Sequence, residues 1–168
     1  SLINVDGGWA KRVHAIGGGR VNTWSGSTLG MIQSSKNFLI EDCEFSYLDR
    51  AQSADGSGMD FEGNTENVTF QNNTVHNNDA SAILILTTEG VNQNLIITNN
   101  TIYSNAQDPW NSEINSEIQG NTAGGTGVIT NNGIYRSSPS INFLSPSSNW
   151  GGFTISGNRL LEFNTVQN

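Results

Sequence analysis

A short segment that recurs along the chain restricts its fold more than anything else in the sequence. Asn94-Leu95-Ile96-Ile97-Thr98-Asn99-Asn100-Thr101-Ile102 repeats the pattern of Asn67-Val68-Thr69-Phe70-Gln71-Asn72-Asn73-Thr74-Val75. Gly127-Val128-Ile129-Thr130-Asn131-Asn132-Gly133-Ile134 and Gly152-Phe153-Thr154-Ile155-Ser156-Gly157-Asn158-Arg159-Leu160 follow, and Asn37 to Phe45 comes first with its turn asparagines replaced. The anchors Ile40, Phe70, Ile97, Ile129 and Ile155 are spaced roughly 26 to 32 residues apart, a period typical of stacked repeat architectures. Within each unit apolar and polar side chains alternate, which is strand periodicity. Two turn residues then interrupt it, and Asn tolerates the left-handed backbone region that a sharp bend needs.

If the units stack, Asn73, Asn100, Asn132 and Asn158 fall above one another, with Cys43 at the same place in the first copy. Such a column can pass amide hydrogen bonds from coil to coil. A second strand precedes each Asn-bearing one, at Met31–Gln33, Gly58–Gly63, Ala82–Leu86, Ile114–Gln119 and Ile141–Leu144. Each coil should therefore hold at least two strands, and three complete a turn. This pattern resembles the internal asparagine ladder of the right-handed parallel β-helices of the pectate-lyase-like family. The resemblance implies an all-β solenoid of about five to six coils.

Composition agrees with a thin solenoid. Hydrophobic residues make up 35% of the 168 residues and charged ones 13%, too few for a helical bundle or a highly charged disordered chain. The length predicts one domain over residues 1–168, expected to be a piece of a larger protein, since repeat-like sequence runs to both ends. A net charge of −8 with seven basic residues argues against nucleic acid, because no basic stripe is there to neutralise phosphates. No apolar run is long enough to span a membrane. The single cysteine, Cys43, excludes an internal disulfide and reads as a buried structural thiol.

Candidate chemistry concentrates in Asp55-Gly56-Ser57-Gly58-Met59-Asp60-Phe61-Glu62-Gly63. With Met59 and Phe61 inward, Asp60 and Glu62 share the outer face about 7 Å apart, and Asp55 lies in the preceding turn. His76 and Asp79 follow one coil later, and Leu84 and Leu86 take the register of the two acids. The block is similar to a run found in β-helix proteins of polysaccharide-degrading bacteria, with Ser57 replacing a second aspartate and Ala80-Ser81-Ala82 replacing Gly-Ala-Gly. That similarity implies a secreted or cell-surface bacterial protein acting on a glycan, with Asp55, Asp60 and Glu62 as acidic centre.

Glycosidic cleavage needs an acid and a base or nucleophile, and a 6.5–9.5 Å separation suits inversion. No cofactor is needed for this chemistry. Calcium is the cation that Asp55, Ser57 and Asp60 could begin to ligate, and a solvated acidic turn is the bland alternative. Trp110 and Trp150, in loops, could stack on sugar rings or cover the core. Arg50 is a further substrate-binding candidate, and His14 is expected to pack structurally. Two other functions compete. One is a non-catalytic glycan-binding or structural module, paired with the rest of its parent chain or with a partner subunit. The other is a polysaccharide lyase, disfavoured because no basic residue sits among the acids.

Overall fold

The computed structural model describes residues 1–18, 28–49, 56–87, 90–105, 116–119, 125–136, 142–144 and 149–162. These residues form strands and no helix. The first coil comprises β1 (Leu2–Ile3), β2 (Asp6–Lys11) and β3 (His14–Gly18), and the second β4 (Thr28–Gln33), β5 (Lys36–Glu41) and β6 (Glu44–Leu48). The third comprises β7 (Ser57–Phe61), β8 (Glu66–Gln71) and β9 (Thr74–His76), and the fourth β10 (Ile83–Ile85), β11 (Gln93–Thr98) and β12 (Thr101–Tyr103). The fifth has β13 (Ser116–Gln119), β14 (Gly127–Thr130) and β15 (Gly133–Arg136), and the last β16 (Asn142–Leu144), β17 (Phe153–Ser156) and β18 (Arg159–Glu162). Every third strand joins one sheet, giving three six-stranded walls. All pairings are parallel: Phe38, Val68, Leu95, Gly127 and Phe153 share one column, and Ile40, Phe70, Ile97, Ile129 and Ile155 the next.

The expected β-helix is therefore present, with three strands per coil. Phe61, Phe70, Ile97, Ile102, Ile129 and Ile134 are fully buried in the core that the three walls enclose. The second strands fall where the alternation placed them. β2 escaped the pattern because Gly7 and Gly8 interrupt it. The structure shows why glycine stands there: a Cβ on Gly8 would meet the Phe38 ring at 2.3 Å. The aromatic ring of the second coil fills the space that the first coil leaves empty.

Each corner repeats one device. A residue in the left-handed region turns the chain, and the next side chain points inward and ties coil to coil. At the corner between β8 and β9 the turning residue is Asn72, at φ 55°, with Asn99 at 56° and Asn131 at 57° one and two coils on. Each is followed by a ladder residue. Asn73 Nδ2 donates to Asn100 Oδ1 at 3.1 Å, Asn100 Nδ2 to Asn132 Oδ1 at 2.9 Å, and Asn132 Nδ2 to Asn158 Oδ1 at 2.9 Å. The Cys43 backbone N–H donates to Asn73 Oδ1 at 2.9 Å, and its buried thiol donates to the Glu41 carbonyl at 3.2 Å. The cysteine thus ends the ladder as a structural thiol.

The other two corners carry shorter ladders. Asn78 Nδ2 donates to Asn105 Oδ1 at 2.9 Å and Asn78 Oδ1 accepts from the Leu48 N–H at 3.1 Å. The Thr65 N–H donates to Asn92 Oδ1 at 3.0 Å, and the Val5 N–H donates to Ser35 Oγ, also at 3.0 Å. These buried side chains answer backbone groups that the bends withdraw from the sheets, which would otherwise be costly to bury.

Candidate functional site

Two outer faces hold the chemistry-bearing residues. On the wall built by β4, β7 and β10, Met59 and Phe61 enter the core and Asp60 points the other way. Asp60 is in register with Met31 and Leu84. The outward face is not open at this point, for Asp60 is only 1% exposed and Leu84 is buried as well. Glu62, just beyond β7, is half-buried, and its N–H donates to the Ile32 carbonyl at 2.8 Å. Asp55, Arg50 and Trp110 lie outside the described residues. Asp79 is half-buried in the turn after β9, where its N–H donates to the Leu48 carbonyl.

His76 lies on a different wall. It stands on β9, in register with Ser46 on β6 and Tyr103 on β12. Val75 before it is core, so the imidazole faces outward. Asn77 Nδ2 donates to His76 Nδ1 at 2.9 Å, which leaves Nε2–H to donate to Glu44 Oε1 at 3.0 Å. Ser46 Oγ donates to the same oxygen at 3.0 Å, and His14 Nδ1 meets Glu44 Oε2 at 2.9 Å. These hydrogen bonds, from His14 first, then His76 and Ser46, hold the Glu44 carboxyl below the usual range. His14 is therefore a surface partner of Glu44, its side chain 63% exposed, rather than the packed residue expected.

Aromatic rings enclose His76. Tyr103 stacks on it with centroids 4.5 Å apart and planes 9° from parallel, and Tyr47 approaches edge-on at 5.3 Å. Burial, then Tyr47 and the Glu44 carboxylate, push the Tyr103 phenol above its ordinary range. Tyr47 itself is 56% exposed and sits at φ 60°. A Ser-His-acid triad needs its hydroxyl on the imidazole. Here Ser46 and His76 both turn to Glu44, so the cluster is not arranged for nucleophilic attack. It is instead a polar and aromatic patch with the Tyr47 ring open to solvent.

The sequence singles out His76 but not Glu44, Tyr47 and Tyr103, which the fold brings against it. Tyr103 was legible, because Asn73-Thr74-Val75-His76 and Asn100-Thr101-Ile102-Tyr103 put both rings at one repeat position. Trp150 is half-buried and lies against Phe153, centroids 5.6 Å apart, so it covers the core. Among the described residues no group of three or more His, Cys, Asp or Glu side chains is placed to hold a metal ion. Among the described residues no helix is long and apolar enough to cross a membrane.

A family model described as a right handed beta helix region matches residues 19–167. No curated protein and no solved structure matches the chain.

Proposed function

The chain belongs to the right-handed β-helix family, and from that membership we propose that it is an extracellular module that binds glycan on the wall formed by β6, β9 and β12. The observation that carries this reading is Tyr47. Its position is occupied by Asn77 one coil later and Ser104 after that, and all three residues adopt positive φ. Asn bears that conformation at less cost than a bulky aromatic. A strained residue is retained where the surroundings support it, often for function. The gain here is an exposed ring beside a carboxylate and an imidazole, a combination that suits the apolar face and hydroxyl edge of a sugar.

A second reading, a glycoside hydrolase using Asp60 and Glu62, is supported by two acids at successive outward positions of one wall. The burial of Asp60 counts against its direct contact with a polysaccharide. Screening on a panel of neutral and acidic polysaccharides separates the two. Binding that Tyr47→Ala abolishes, with no release of reducing ends, supports the first. Reducing-end release that Asp60→Asn or Glu62→Gln removes supports the second and overturns the first.

A further inference from the structure

The residue that follows the main ladder occupies one column of the wall built by β6, β9 and β12. In register, that column reads His14, Glu44, Thr74, Thr101, Gly133 and Arg159. Only the fifth coil lacks a side chain there, and nothing local demands a glycine. Gly133 does not adopt positive φ. A Cβ on it would come no nearer than 3.6 Å to the Tyr135 ring, an ordinary contact. What this glycine does is complete the chain's only Asn-Gly pair, and it does so at the ladder residue Asn132.

We propose that Asn132–Gly133 is a self-modification site that the ladder keeps shut, independently of what the walls bind. When the coils part at this point, the chain converts its own asparagine to aspartate or isoaspartate, and the coils no longer close. Water is the co-reactant. Base removes the proton from the Gly133 N–H, and the nitrogen attacks Asn132 Cγ. The N–Cγ bond forms, the Cγ–Nδ2 bond breaks, and ammonia leaves with the proton. Water then adds to either carbonyl of the succinimide and opens the ring. Glycine favours the attack because no Cβ crowds the nitrogen and its backbone turns freely.

In the closed solenoid every participant is engaged. Asn132 is 0% exposed, out of reach of water and base. The Gly133 N–H donates to the Asn100 carbonyl at 2.9 Å, across to the fourth coil. Asn132 Nδ2 donates to the Ile97 carbonyl at 3.1 Å and to Asn158 Oδ1 at 2.9 Å. Asn132 Oδ1 accepts from the Asn100 N–H at 3.0 Å and from Asn100 Nδ2 at 2.9 Å.

The product cannot resume these bonds. Aspartate sets an oxygen where Nδ2 donated, so acceptor faces acceptor at Ile97 and Asn158, and a charge is buried without a cation. Isoaspartate adds a carbon to the main chain just before β15 and pulls that strand out of register with β12 and β18.

Peptide mapping by mass spectrometry tests the proposal on the intact chain, held in mildly alkaline buffer with and without concentrated urea. In urea, Asn132 should lose its amide ahead of every other asparagine. In buffer the same loss should be at least about 100-fold slower, since only the opened fraction reacts. On dilution from urea, the refolded fraction should fall in step with the modification. Gly133→Ala, or Gly133→Thr if the alanine variant does not fold, should keep its amide and its refolding yield through the same incubation. Asn132→Asp reads the consequence without any refolding: made directly, it should unfold at lower urea than wild type or fail to fold. Loss of the Asn132 amide as fast in buffer as in urea would overturn the proposal. So would a Gly133 variant that is modified at the wild-type rate, or an Asn132→Asp variant as stable as wild type.

Discussion

A single ladder asparagine answers four polar groups. Asn100 Oδ1 accepts from the Asn73 N–H and from Asn73 Nδ2, while Asn100 Nδ2 donates to the Phe70 carbonyl and to Asn132 Oδ1. All of this is buried. Replacing it by Ala strands several of those groups at about 1–3 kcal/mol apiece when no water reaches them. Asn100→Ala should therefore cost about 3 kcal/mol in urea unfolding. Asn94 forms an outer ladder with Asn67, Nδ2 to Oδ1 at 2.8 Å, in full solvent and at φ 52°. Asn94→Gly keeps the left-handed conformation and lets water replace the amide, so its cost should stay under about 1 kcal/mol. Equal costs at the two positions would mean that burial does not decide the ladder's contribution. Tyr47 gives the opposite sign. Tyr47→Asn relieves a bulky residue at positive φ and should stabilise by about 1 kcal/mol while weakening glycan binding. A loss of stability together with unchanged binding would remove the functional meaning of the strain.

At the scale of elements, Glu44 joins three strands of one wall, through His14 on β3, Ser46 on its own strand β6 and His76 on β9. Its folded-state pKa lies below its ordinary value of 4.5. A carboxyl so lowered contributes stability fully present above the unfolded value and lost as pH falls through the folded one. The melting temperature of wild type should thus fall more steeply than that of Glu44→Gln as pH drops below 4.5. Parallel curves would show that the wall does not depend on this carboxylate.

The walls and the main ladder were legible in the sequence because both repeat with one register. The short ladders were legible in principle, since Ser35, Thr65 and Asn92 precede the main ladder by a constant offset and Leu48, Asn78 and Asn105 follow it by another. Their changing residue type hid them. The burial of Asp60 was not legible, because alternation tells which way a side chain points and not what lies over it. Glu44 was missed for a related reason: no local motif unites it with His14 and His76, which only coil stacking brings to it.

The whole molecule is a one-dimensional stack in which each coil rests on its neighbours. Its middle coils contribute fully buried side chains such as Phe61, Phe70 and Ile97, whereas the end coils leave core-facing residues in water. The fold and the proposed glycan face both depend on coils lying in one register. Thr98 and Thr130 offer the most direct test. They are paired on β11 and β14, and their hydroxyls are 3.2 Å apart on the outer face. Adjacent parallel strands lie about 4.8 Å apart, within the Cα separation that a disulfide spans. Under mild oxidation the double variant Thr98→Cys/Thr130→Cys should cross-link within one chain. Thr98→Cys/Ser156→Cys, two coils apart in the same row, should remain reduced. Cross-linking of the second pair without the first would contradict the stacking from which every other conclusion follows.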